Sequence, residues 1–457
     1  MKKILSILST LVLLLSTSQS LCSQELKLNE LEYFEKQGVN ILVYNNLFTG
    51  GFNDEKNAGL ELIHHGVRTA QGGAVRLSNT PEQWDLLPTV SDRKVDTTKK
   101  RIETTQRYAD FDFESKVVVT AKGAKVEVSV FLDNPVPKEL EGKAGFNLEF
   151  LPSQYWSKTY LMDERINRFP RYAVGETTTK PNSEKLKQYK GYETYDDRGT
   201  GEFIDPLPLE RGRSLLLAPD EASRMVKINS LDADLMLFDG RVLAQNGWYV
   251  VRSLLPSGKT GKVLTWEIEP NAIESWTREP NIGFSQVGYL PSQEKVSVIE
   301  LDKNQTPLKR ASIYKIDTNG NTNEVFTGEI ENWGDYYKYN YVKFDFSSVN
   351  EPGIYYIKYG DHQTNNFIIN DDVYENITDA TSDIWIPIHM NHMHVKEGYR
   401  VWHGEPFKEG YRQAPPNTDH FDLHAQGPTT DTDYEPLELI PGLNVGGFFD
   451  AGDFDIE

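Results

Sequence analysis

The chain has 457 residues and carries a formal net charge of −20 at pH 7. Such an acidic balance argues against nucleic acid and against an anionic membrane surface as partners, since both would repel it. It suits an exported protein that handles a neutral ligand, and the length provides for about three domains.

Residues 1–23 read as a secretory signal. Lys2-Lys3 supplies the charged start, and Ile4 to Leu15 is an apolar core too short to span a bilayer comfortably. Small residues follow at Ser18, Ser20 and Ser23, so cleavage after Ser20 or Ser23 fits. The expected location is secreted or periplasmic, with no membrane attachment after cleavage. Cys22 is the only cysteine, and bulky Leu21 before it disfavours a lipid-attachment site. Cleavage after Ser23 leaves no cysteine and hence no disulfide. Aromatic residues make up 11% of the chain, with 23 Tyr and 8 Trp. That fits stacking against sugar rings, and it fits equally the aromatic preference of β-domains.

Residues 24–275 alternate with period two and predict a large β-sandwich-like domain. Strands are predicted at 40–44, 116–120, 125–130, 214–218 and 248–252, with turns at Lys122-Gly123 and Asp239-Gly240. His64-His65-Gly66-Val67-Arg68, next to Gly72-Gly73, either lines a pocket or closes a strand in a turn with satisfied side chains. Glu82-Gln83-Trp84-Asp85 places carboxylates beside an indole, as a sugar site does, or anchors a loop. The polar stretch from Lys180 to Gly201 reads as a long loop. Glu269-Pro270 and Glu279-Pro280 bracket a domain boundary, because proline favours extended backbone before it.

Residues 281–370 predict an immunoglobulin-like β-sandwich, with short strands at 296–300, 311–315, 341–346, 353–359 and 366–369. The run from Trp333 to Tyr341 holds five aromatics. Aromatics alternating along a strand pack a sandwich face, so core or interdomain packing is expected here over carbohydrate binding. Past residue 373 the pattern turns helical, with Ile377, Ile384, Ile388 and Met390 as core candidates and a kink at Pro387. His389, His392, His394 and His403 are closely spaced, but no cysteine or placed carboxylate completes a zinc set, so no metal is expected. No cofactor is expected either. Trp402-His403-Gly404 and His420-Phe421-Asp422 could line a substrate cleft.

The chain then reaches Gly446-Gly447-Phe448-Phe449-Asp450-Ala451-Gly452-Asp453. Small Ala451 and Gly452 let the backbone bend so that two carboxylates converge, and such a pair can hold a water and take its proton. The same turn also serves local backbone capping. Gly447 to Asp453 resembles the signature of family 9 glycoside hydrolases, the inverting cellulase-like enzymes. Gln286-Val287-Gly288-Tyr289, Asp345-Phe346-Ser347 and Pro352-Gly353-Ile354-Tyr355-Tyr356 are similar to the immunoglobulin-like module that precedes many of their catalytic domains. The resemblance implies Asp453 as catalytic base, Asp450 as its partner on the water, and the first part of an all-α (α/α)6 barrel over residues 373–457. It also implies a β-glucan substrate, polysaccharide or oligosaccharide, of cellulose, β-glucan or xyloglucan type. An exo-acting glycosidase on amino-sugar oligosaccharides is the alternative within the family. The family's general acid, a late barrel Glu, has no match here, and Glu457 is too near Asp453 to serve. The chain is therefore expected to be the N-terminal portion of a longer enzyme, inactive alone. The rival from another class is a non-catalytic exported glycan-binding or scaffold protein.

Overall fold

The computed structural model describes residues 25–45, 58–77, 90–173, 177–181, 202–242, 247–379 and 381–382, with isolated positions at 433–435, 438 and 441. Among these residues the structure is mainly β. Residues 27–270 build two large antiparallel sheets and one of two strands. The first runs from edge to edge as Lys27–Leu28, Phe34–Lys36, Val39–Asn45, Ala58–His64, Val67–Gly73, Gly145–Phe150, Tyr249–Leu254, Leu235–Asp239 and Glu210–Gly212, with Val75–Arg76 joining Gly145–Phe150. The second runs as Arg165–Arg168, Thr159–Met162, Ser214–Leu217, Val226–Ser230, Gly261–Pro270, Lys125–Leu132, Phe113–Lys122, Arg101–Tyr108 and Val90–Asp96.

Alternation explains how the two sheets meet. Ile41, Val43, Leu60, Leu62, Phe146 and Leu148 of the first sheet share one core with Val117, Val119, Val126, Val128, Trp266 and Ile268 of the second. Trp266 is fully buried, its ring edge-on to Phe146 at 4.9 Å between centroids. Its indole N–H donates to Ser253 Oγ at 3.0 Å, which satisfies the polar atom that burial would otherwise strand.

Every residue of Gly145–Phe150 and Leu235–Asp239 is buried, so the centre of the first sheet is covered on both faces. On its outer face Arg76 pairs with Glu149 at 3.2 Å. The sheets end in edges that are short or charged. Lys27–Leu28 has two residues and Glu210–Gly212 three, while Arg165–Arg168 is wholly exposed and Val90–Asp96 reads VSDRKVD. Of the stretch read as a loop from Lys180 to Gly201, Lys180 and Pro181 belong to strand Thr177–Pro181, which pairs antiparallel with Glu202–Pro206.

The second sandwich is threaded by one long strand. Thr322–Tyr336 pairs through its first half with Arg310–Ile316 and through its second with Tyr339–Asp345. It thereby carries the chain between two groups of strands. Asn281–Gly283 and Val296–Asp302 lie beyond Tyr339–Asp345, and Gly353–Tyr359, His362–Gln363 and Phe367–Ile369 lie beyond Arg310–Ile316. Ile299, Ile313, Val342, Phe344, Tyr355, Ile357 and Ile369 fill the space between.

The sequence motifs of this region are packing devices. Gly288 has φ +116°, and a Cβ there would collide with the Ile368 carbonyl, so glycine lets the two chain ends touch. Tyr289 follows, buried edge-on against Phe346 and Phe367 at 5.4 Å each, and its hydroxyl accepts from Ser285 N–H at 2.8 Å. Ser347 Oγ accepts from Lys295 N–H at 2.9 Å, and Tyr355 O–H donates to the Glu351 carbonyl at 2.7 Å.

The Trp333–Tyr341 run departs from its expected packing. It is not one strand. A register shift at Trp333 and a turn at Tyr337-Lys338, with Tyr337 at φ +51°, fold it into a hairpin. Alternation is broken twice, so Trp333, Tyr336 and Tyr337 are 55%, 57% and 70% exposed instead of packed. Only Tyr339 and Tyr341 are half-buried. The expected barrel over 373–457 lies almost wholly outside the described residues. Those described show turns over 371–378 and helical positions at Asp379, Thr381 and Ser382, and no barrel helix is seen among them.

Candidate functional site

The segment between the two sandwiches, residues 271–280, is held from both sides. Strand Ala58–His64 turns into Val67–Gly73 through His65 (φ +49°) and Gly66 (φ +77°), the pair of positive φ values that a tight two-residue hairpin requires. That turn projects both histidines at the connector. His64 Nε2–H donates to the Asn271 carbonyl. His65 Nε2 accepts from Ile273 N–H at 3.2 Å, so its Nδ1 carries the proton and donates to the Ser223 carbonyl at 3.0 Å. Burial holds both imidazoles neutral, and it drives the His64 pKa down to about 3. His65 also packs edge-on to Trp276 at 5.3 Å.

Further contacts extend the clamp. Gln37 Nε2 donates to the Trp276 carbonyl at 2.6 Å. Lys36, almost fully buried, donates to the carbonyls of Ala124 at 2.9 Å and Pro270 at 2.8 Å. Desolvation lowers its pKa to about 8, with Glu269 opposing. Beside Gln37, Gly38 sits at φ +76°, where a Cβ would lie 2.7 Å from the His65 ring. On the far side of the connector, Arg278 N–H donates to Asp302 Oδ2 at 3.2 Å, and its guanidinium pairs with Glu300 and lies 4.9 Å above the Tyr339 ring. Tyr341 O–H donates to Glu300 at 2.8 Å, which pushes the phenol up to about 12. Lys303 and Glu35 join the sandwiches directly at 2.8 Å.

These contacts leave a cleft of about 390 Å³ between the sandwiches. Trp276 and Tyr339 border it, as do Gln37, Asn40, Gly66 and Asn304. Its charged lining is Lys27, Lys36, Lys303, Lys338 and Arg278 against Glu25, Glu35 and Asp302. Glu35 is paired with Lys303, and Asp302 accepts from the Arg278 and Asn304 backbone N–H groups. Carboxylates so engaged hold the joint in shape. The chemistry on offer is binding by hydrogen bonds, charge and aromatic faces.

The histidine pair is thus a strand end and turn bonded to the connector and to Ser223, with His64 Nδ1 buried and left without a partner, and of that turn Gly66 reaches the cleft. Asp450 and Asp453 lie outside the described residues, as do Glu82-Gln83-Trp84-Asp85, His389, His392, His394, His403 and the His420 segment. Among the described residues, no group of three or more His, Cys, Asp or Glu is placed to hold a metal ion. Sequence reading missed the cleft. Its residues come from five separated stretches, and no motif in the sequence links them.

Residues 277–364 match the family model of the cellulase N-terminal ig-like domain. The second sandwich is such a domain. Its match begins within the connector, so Arg278 and the Asp302–Asn304 side of the cleft belong to the Ig-like domain, and Lys36, Gln37 and Gly66 to the larger sandwich. Among solved structures, a Bacteroides ovatus family 9 glycoside hydrolase is 25% identical, over 38% of this chain and 28% of that one, with a TM-score of 0.23. A metagenome-derived glycoside hydrolase family 9 endoglucanase is 19% identical, over 38% of this chain and 30% of that one, with a TM-score of 0.25. The chain spans less than a third of the length of either structure. No curated protein matches it.

Proposed function

We propose that this chain belongs to an exported family 9 glycoside hydrolase that cleaves β-linked glycans of the cellulose, β-glucan or xyloglucan type by inversion. The observation that carries the reading is the cellulase Ig-like domain over residues 277–364, followed in the same chain by the Asp-Ala-Gly-Asp motif at 450–453. In this reading Asp453 takes the proton from the attacking water while Asp450 holds that water in line. Both carboxylates work on the water side of the sugar ring. Inversion requires the acid on the opposite side, about 6.5–9.5 Å from the base, with room for the water between them. The acid protonates the leaving oxygen, so its carboxyl must stay protonated near neutral pH.

The test is Asp453→Ala in the complete protein, assayed on barley β-glucan. Removing the base is expected to lower turnover by about 10²–10⁴-fold while glycan binding is kept. Proton NMR of the first product formed should show the inverted anomer. Unchanged hydrolysis in Asp453→Ala would return Asp450 and Asp453 to turn chemistry.

A further inference from the structure

We propose that the cleft between the larger sandwich and the Ig-like domain is a binding site for an acidic saccharide, a short glycan bearing carboxylates. The proposal goes beyond the hydrolase reading and does not depend on Asp453.

The first argument is charge. The whole chain is strongly acidic at −20, yet five basic side chains line this cleft against three carboxylates. Salt screens the distant acidic surface beyond about 8–10 Å, so a bound ligand experiences the local lining. Three of the five cations are already committed. Lys303 pairs with Glu35, Arg278 with Glu300, and Lys36 holds two backbone carbonyls. Lys27 and Lys338 have no carboxylate partner among the described residues. They line the cleft from opposite sandwiches, and so flank a ligand placed between them.

The second argument is shape and surface. The volume of about 390 Å³ lies within the ~300–1,000 Å³ range of small-molecule sites. Trp276 is half-buried, with its ring over Gly66, where a Cβ would meet it at 3.4 Å. An anchored indole at a cleft wall gives the apolar face of a pyranose a rigid surface. Asn40 and Asn304 are on the same lining, and although Asn304 Nδ2 donates to Asp302 Oδ1 at 3.0 Å, amides retain acceptor capacity that suits hydroxyls. The hairpin that carries Lys338 and Tyr339 into the cleft also carries exposed Trp333, Tyr336 and Tyr337. A glycan longer than the cleft therefore has aromatic surface to continue onto.

The experiment is isothermal titration of the full chain with tetragalacturonate and, separately, with cellotetraose, at low and high salt. The expected result is binding of the uronate that weakens as salt rises, with the neutral oligomer weaker. Lys27→Glu with Lys338→Glu should lower uronate affinity about tenfold or more at an unchanged melting temperature. Trp276→Phe, which keeps an aromatic ring against His65, should weaken binding less than the charge reversal. No heat with the uronate, or equal affinity for both oligomers untouched by the charge reversal, overturns the proposal. Either result leaves the hydrolysis test at Asp453 standing on its own.

Discussion

Polar side chains go deep into the larger sandwich. His64 is fully buried, Lys36 nearly so, and the Arg76–Glu149 pair sits under cover on the outer face of a sheet. The Ig-like domain buries fewer polar side chains, Lys295, Ser297 and Thr364 among the described residues, and no histidine is one of them. Lys295 donates to the carbonyls of Pro291 at 2.9 Å and Gln293 at 2.7 Å, and the core proper is aromatic and aliphatic. The difference teaches where each unit is vulnerable. Stability of the larger sandwich is tied to protonation, because ionising a buried imidazole means charging a group with little solvent around it. Stability of the Ig-like domain rests on packing.

The largest effect that separates them is an acid response. The folded His64 pKa of about 3 lies below the ordinary value of 6.5. Between those values the unfolded chain binds a proton that the folded chain does not, so stability falls as pH drops through that window and is intact above it. The full loss is roughly 4–5 kcal/mol from this one group. Urea unfolding against pH should show the larger sandwich losing stability on that limb, with a shallower slope in His64→Gln. An identical slope in the variant would remove His64 as the cause.

Next come the cores. Trp266→Ala and Phe344→Ala should each cost about 3–5 kcal/mol, the first in the larger sandwich and the second in the Ig-like domain. In calorimetry each should lower only the transition of its own unit. A single transition that moves with either substitution would mean the connector fuses the two into one cooperative body. The smallest effect belongs to the joint. Lys303→Ala removes a partly exposed pair with Glu35 and should cost about 0.2–1 kcal/mol, fading with added salt. A clearly larger loss would make that contact a main support of the interdomain geometry.

The Ig-like domain was the more legible of the two. Its strand at 296–300 and the start of the one at 311–315 alternate, so period two reads directly there, while 353–359 buries Tyr355, Tyr356 and Ile357 in succession. Of its motifs, Gly288-Tyr289 stands where backbone crowding leaves little choice of residue, whereas a Cβ at Gly353 would meet only the Lys315 and Tyr355 side chains. Thr322–Tyr336 was not legible because mostly polar residues fill it and it changes partners halfway. In the larger sandwich, Gly145–Phe150 escaped notice for a related reason. Asn147 and Glu149 look like solvent positions, yet the sheet is covered on that side too. The cleft could not be read at all. Lys36, Gly66, Trp276 and Tyr339 become neighbours only through the angle at which two sheets and a connector meet.

An open sheet ends in a row of unpaired amides and carbonyls, which invites another chain to add a strand. Each sheet of the larger sandwich has two such borders, and none offers a clean template. Lys27–Leu28 and Glu210–Gly212 are too short to zip against, the exposed Arg165–Arg168 begins and ends in arginine, and Val90–Asp96 places Asp92, Arg93, Lys94 and Asp96 along the rim. A second molecule pairing there would have to strip water from those charges before gaining a ladder bond. Two broad sheets can thus stay open at their ends without seeding fibrils, which protects the protein wherever its concentration is high.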